Sequence, residues 1–263
     1  VESAPNVSQV LTLDVRHAIV SSDSSSELLT LRLDGEPSST AIGGIPGNPS
    51  RSAASTLGTA AAFYYSDIQQ VRIVKGLPRE PQDAGGLQLD RPLTQLAVSD
   101  DGMMLVYAIR EGDGETLHAW TVSSGSPRFL TSAASVSGIA MTRTGDAIVT
   151  DRGTNEVFAI WDPAGGAVRK LLADSNDGVS DPTGVGVSSA NRLYAANAGS
   201  STLMVFEASG RLLKVLSCNC AMAGVYLLRD SVFRLTEGIA QTMFLLDASS
   251  AEERILFVPP PLD

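Results

Sequence analysis

The chain has 263 residues, a formal charge of −10 and a pI near 4.7. No cluster of Lys or Arg is present to neutralise phosphates, which argues against a nucleic acid or an anionic bilayer as ligand. No apolar run reaches about 18 residues, which excludes a membrane-spanning helix.

Frequent Gly and Pro among Val, Ile, Leu and Ala predict many short strands joined by tight turns. The bias toward arginine, sixteen against three lysines, reads as a high-GC bacterial genome. Val1-Glu2-Ser3-Ala4-Pro5-Asn6 has the character of the polar lead-in that follows a removed export signal. A periplasmic or extracellular location is expected on that ground.

Taken in order, Val10–Val20, Leu28–Leu33 and Thr40–Ile42 predict a first set of strands, with the polar run Ser21–Glu27 as a turn. Ala53–Tyr65, broken by Gly58, and Gln70–Val74 predict a second set, followed by a long link at Arg79–Gly86. Three segments then superpose: Leu96-Ala-Val-Ser-Asp-Asp-Gly-Met-Met-Leu-Val-Tyr, Ile139-Ala-Met-Thr-Arg-Thr-Gly-Asp-Ala-Ile-Val-Thr and Val185-Gly-Val-Ser-Ser-Ala-Asn-Arg-Leu-Tyr-Ala-Ala. Each is a hairpin whose turn carries a residue suited to positive φ: Gly102, Gly145 or Asn191. Third strands follow at Thr116–Val122, Glu156–Asp162 and Thr202–Glu207, and outer strands at Arg128–Leu130, Val168–Leu172 and Leu212–Leu216. Gly224–Leu228, Val232–Leu235, Thr242–Leu246 and Arg254–Val258 make a last set, ended by Pro259-Pro-Pro261.

Four strands per unit and a period of 43 to 46 residues predict an all-β fold, a six-bladed β-propeller of four-stranded antiparallel blades. The expected blades are 8–45, 50–90, 93–132, 136–173, 182–217 and 223–259, in one domain spanning 1–263. Each blade runs from inner to outer strand, so closure is expected to rest on packing of the first blade against the last. The N-terminal tail is the only segment left to add a strand.

Asp181-Pro-Thr-Gly-Val-Gly-Val-Ser, followed by Arg192-Leu-Tyr-Ala-Ala-Asn-Ala-Gly-Ser-Ser-Thr-Leu-Met-Val-Phe, resembles the NHL and YVTN class of propeller repeats; Thr150-Asp-Arg-Gly-Thr-Asn-Glu-Val-Phe is similar. The resemblance covers about residues 93–216. It implies the architecture and leaves the activity open, since such propellers include lactonases, lyases and binding modules. In the lactonase branch a divalent cation sits in the channel on Glu, Asn and Asp side chains. Its Pro-Asn-Gly turn falls here at Pro182-Thr183-Gly184, where Thr replaces the Asn ligand.

Turns between second and third strands share one end of a propeller with the links between blades. Asp23, Asp67, Arg110 with Glu111, Asp151 with Arg152, Asn197 and Glu237 close the second strands. They are the candidate ligand-binding residues, able to hold a polar ligand through bidentate arginine contacts or a Ca²⁺-like cation through carboxylate oxygens. Against this stands the alternative that each satisfies only its own turn. His17 and His118 are the only histidines, and neither accompanies a nucleophile motif. Trp120 and Trp161 are expected at equivalent third-strand positions. Cys218 and Cys220 fit neither a zinc site nor the usual redox spacing, and read as two thiols or a local clip.

The function expected is an exported bacterial binding or interaction module, a monomer without cofactor or bound metal, taking a protein or small polar ligand on the channel face. The alternative is a divalent-metal-dependent lactonase or hydrolase with an acidic site over the central channel.

Overall fold

The turn residues act as their chemistry requires: Gly102, Gly145 and Asn191 hold φ of 68°, 89° and 62°, reversing the chain into second strands that are buried on both faces. The computed structural model describes residues 7–22, 27–32, 38–229, 231–236, 242–250 and 252–259. The first blade contains β1 (Val7–Thr12), β2 (His17–Ser22), β3 (Glu27–Arg32) and β4 (Ser38–Pro46). The second contains β5 (Arg51–Ala54), β6 (Ala60–Tyr65), β7 (Gln70–Lys75) and β8 (Gln82–Gln88). The third contains β9 (Leu93–Val98), β10 (Met104–Glu111), β11 (Gly114–Thr121) and β12 (Arg128–Ala133). The fourth contains β13 (Val136–Met141), β14 (Ala147–Asp151), β15 (Glu156–Trp161) and β16 (Val168–Ala173). The fifth contains β17 (Pro182–Val187), β18 (Leu193–Asn197), β19 (Thr202–Phe206) and β20 (Leu212–Ser217). The sixth contains β21 (Tyr226–Arg229), β22 (Val232–Arg234), β23 (Met243–Asp247) and β24 (Arg254–Val258).

Each blade is a separate antiparallel sheet whose strands follow chain order, and no described strand is shared between blades. The innermost strands β1, β5, β9, β13 and β17 succeed one another around the axis, and β1 also packs against β21. The ring therefore closes by blade-on-blade packing.

One expected loop is a strand. Arg79–Gly86 reads as a link because Gly85-Gly86 has low strand propensity, yet β8 runs through it as the outer strand of the second blade. An ion pair from Arg72 to Asp83 and the ladder to β7 hold it in place. The two tryptophans are not equivalent either. Trp120 faces Leu105 across its hairpin, where Ile160 faces Ala147, so Trp161 lies one residue further on and points to the other face.

The core lies between blades. Leu105, Tyr107 and Trp120 of the third blade pack on Ile73, Leu87 and Leu89 of the second. Val149, Phe158 and Ile160 of the fourth pack on Val106, Leu117 and Ala119 of the third. Near the axis the inner strands come close enough that a Cβ on Gly138 would stand 2.9 Å from the Gly184 Cα.

At the end carrying the first-to-second-strand turns, hydrogen bonds join successive blades. Leu57 N donates to Asp100 Oδ1 at 2.7 Å, Arg143 N to Asn191 Oδ1 at 3.0 Å, and the Ser189 and Ser231 hydroxyls meet at 2.8 Å. Thr56 Oγ1 of the second blade reaches the Met141 carbonyl of the fourth at 2.7 Å.

Candidate functional site

At the opposite end, ladder register decides which side chains share a position. Asp151 closes β14 opposite Val136, and the same place is held by Asn197 opposite Pro182 and Ile109 opposite Leu93. Counting from the hairpin turn of the second blade puts Tyr65 there too. Of the six predicted positions, Asp151 and Asn197 are thus equivalent. Arg110 lies one residue past this place and Asp67 two residues past it. Asp23 and Glu237 lie outside the described residues.

Asp151 is buried and ties its blade to the link before it. Its Oδ2 accepts from Ala134 N at 2.8 Å, and its Oδ1 from Ser135 N at 2.8 Å and Gly153 N at 2.9 Å. The Tyr65 hydroxyl does the same work in the second blade, donating to the Pro46 carbonyl at 2.6 Å. Asn197 is fully buried; its Nδ2 reaches Thr202 Oγ1 at 3.4 Å, and its Oδ1 has no hydrogen-bond partner. Arg152 is exposed and paired with Asp181. Asp67 and Arg110 are exposed. Among the described residues no three His, Cys, Asp or Glu side chains group so as to hold a metal ion.

What the structure does bring together is a cleft of about 330 Å³ on the third blade, bordered by the link that enters it from the second. Its floor is one cross-strand row: Tyr107 on β10 faces His118 on β11, which faces Phe129 on β12. The His118 ring stacks on Tyr107 with centroids 5.5 Å apart and meets the edge of Phe129 at 5.8 Å. The rim at the link end carries Asp90, Arg91 and Glu111, and Pro127 borders the far side. Arg91 is paired with Glu111 at 2.6 Å, which holds the Glu111 carboxyl below its usual range. Asp90 is exposed and has no ion-pair partner among the described residues.

Burial pushes the Tyr107 phenol up to about 12, with the charge of Asp90 adding to the effect. Burial also lowers His118, only partly offset by Glu111 and Asp90, so the imidazole sits neutral with Nε2 3.1 Å from Thr116 Oγ1. A histidine held below its unfolded value of about 6.5 binds its proton more readily in the unfolded chain. Its contribution to stability is therefore complete above that pH and falls on acidification, by at most about 1.4 kcal/mol per pH unit. His118→Gln is expected to flatten the melting temperature between pH 6.5 and 5, relative to the parent protein. An unchanged slope would show that the imidazole protonates freely in the fold.

Cys218 and Cys220, in the link after β20, are joined as a disulfide and buried beside Met222, Val225 and Leu235.

No family of known proteins matches the chain by sequence, and neither does any curated protein. Solved structures do match in shape. A streptogramin B lyase superposes with a TM-score of 0.67 at 11% identity, over 99% of this chain and 86% of its own. Virginiamycin B lyase from Staphylococcus aureus gives 0.66 at 12%, over 100% and 87%. A chain of the nidogen/laminin complex gives 0.55 at 14%, over 86% and 87%. The fold is a six-bladed β-propeller. Neighbours of this shape include a lyase, a member of a protein–protein complex and proteins of unknown function, so shape alone does not select an activity.

Proposed function

We propose that this propeller is an exported binding module that holds its ligand in the cleft on the third blade, beside the link from the second. The observation that carries this reading is the row Tyr107–His118–Phe129: three rings in one cross-strand register, with Phe129 56% exposed, under a charged rim. Apolar surface flanked by a few placed polar groups is the usual composition of a ligand pocket, and the volume is of the right order. Of the polar residues expected to line the channel end, Asp151 already spends its oxygens on backbone donors. Asp67 and Arg110 remain exposed at that end, where they would form part of the rim met by a protein partner. Export is supported by the Cys218–Cys220 disulfide, since such bonds persist in oxidising compartments.

The test is a thermal-shift screen of the chelator-treated protein against small organic ligands of each charge, with Ca²⁺ and Mn²⁺ as parallel arms. A ligand present at about 100 times its dissociation constant adds about 2.7 kcal/mol, a shift of several degrees for a domain of this size. The expected result is a shift with an organic ligand that Phe129→Ala and His118→Ala both diminish. A shift produced by the cations alone would instead favour the metal-dependent hydrolase.

A further inference from the structure

The blades are repeats, so a site in one can be compared with the same place in its neighbours. His118 and Phe129 of the third blade correspond in register to Phe158 and Leu171 of the fourth, because in both sheets the pair stands just past the bulge between the third and outer strands. Counting back along the outer strand, Pro127 corresponds to Arg169. In the fourth blade the Arg169 guanidinium lies over the Phe158 ring, 4.2 Å from its centroid, and is paired with Glu156 at 2.6 Å. The place outside that aromatic ring is therefore filled from within by a cation and its carboxylate.

The third blade keeps the aromatic floor and loses the cation. Pro127 stands where Arg169 would, and cannot reach across the rings. The open cleft lies over this position. A carboxylate is nevertheless present on the rim: Asp90 has no ion-pair partner among the described residues, while Glu111 is held by Arg91.

On this basis, and resting on the binding-cleft reading above, we infer that the cleft takes an alkylguanidinium group, laid over the Tyr107–His118–Phe129 row with its charge on Asp90. Rings attract a guanidinium through their negative faces, and the planar fork suits a carboxylate. The overall charge of −10 favours the encounter with a cation. A free alkylguanidinium and the side chain of an arginine in a polypeptide share this chemistry.

The experiment is titration of ¹⁵N-labelled protein with butylguanidinium, N-acetyl-arginine amide and the neutral isostere N-acetyl-citrulline amide. Both guanidinium probes are expected to shift amides at 90–91, 107–111, 116–118 and 128–129, and the citrulline probe to bind at least tenfold more weakly. Asp90→Asn is expected to weaken guanidinium binding about tenfold or more, and Phe129→Ala about two- to fivefold. Pro127→Arg restores the cation of the fourth blade and is expected to abolish binding by occupying the cleft from within. All the altered side chains are at the surface or rim, and melting curves check that the variants fold. Tighter binding of the arginine amide than of butylguanidinium assigns the ligand to a polypeptide; the reverse order assigns it to a free small molecule. Equal binding of the citrulline probe, or indifference to Asp90→Asn, overturns the guanidinium assignment. If neutral or anionic organic ligands perturb the cleft while guanidinium does not, this inference falls and the binding-cleft reading stands. If no organic ligand of any charge perturbs it, both fall.

Discussion

Asp151→Ala is expected to destabilise the propeller by about 3 kcal/mol or more, one of the two largest effects of a local change that the structure implies. The carboxylate accepts three backbone hydrogen bonds, two of them from Ala134 and Ser135 in the link between the third and fourth blades. Truncation leaves those donors facing a small void in a buried position, and each unsatisfied group costs about 1–3 kcal/mol. Asp151→Asn keeps one acceptor and turns the other into a donor that confronts an N–H, so an intermediate loss is expected. Urea unfolding with an unchanged m-value is the measurement. A loss below about 0.5 kcal/mol for the alanine variant would mean the link is held by other contacts. The result also bears on function, because an oxygen already committed to two amide donors has little left to offer a ligand in the channel.

The second large effect concerns Glu253, whose side chain is wholly buried between the fifth and sixth blades. It meets Lys214 Nζ at 2.5 Å and is paired with Arg192, both of which reach in from partly exposed positions. Replacing both cations, as Arg192→Met with Lys214→Met, strands a buried carboxylate and is expected to cost about 3–5 kcal/mol at neutral pH. Glu253→Gln in the same background is expected to recover much of that loss, because it removes the uncompensated charge. Acid behaviour distinguishes this from a packing defect. Burial alone would raise the Glu253 carboxyl, but Lys214 and Arg192 outweigh it and hold the group below its ordinary value of 4.5. A carboxyl lowered on folding contributes stability that is complete above the unfolded value and lost as pH falls through the folded one. The gap between parent and double variant should therefore begin to narrow above pH 4.5, where the stranded carboxyl of the variant takes up its proton, and go on narrowing below it as the parent loses its ion pairs. A gap that stays constant with pH would assign the effect to lost packing of the two long side chains.

The architecture was legible because its signals are local. Gly102, Gly145 and Asn191 mark hairpin turns by a backbone requirement that few residues meet, and the apolar runs beside them are too short for helices. Facing is harder to read, because one residue more in a turn moves every later side chain to the other side of its strand. The hairpin between β9 and β10 closes from Ser99 N to the Met104 carbonyl, against Thr142 N to Asp146 in the fourth blade. That single extra residue separates Trp120 from Trp161, and puts Ile109 rather than Ala108 in line with Asp151. The cleft escaped for a related reason. Tyr107, His118 and Phe129 belong to three strands and become neighbours only through pairing. Their spacing of 11 residues is set by these particular loop lengths and is no general signal, since the equivalent row of the fourth blade, Val149, Phe158 and Leu171, is spaced by 9 and 13. The strand β8 was hidden by its glycine pair, whose pairing depends on the neighbouring strand more than on propensity.

Because all four strands of every described sheet come from one continuous stretch of chain, the order in which the blades are synthesised is not written into their geometry. Joining the β24 side of the ring to the β1 side through a short linker, and opening the chain instead between β12 and β13, would sever none of the three ladders in any sheet. The same hydrogen bonds and interblade contacts would be re-formed by a circular permutant. Its ends would lie at the seam of the third and fourth blades, where Asp151 would then have to hold a link that no longer runs continuously from one blade to the next.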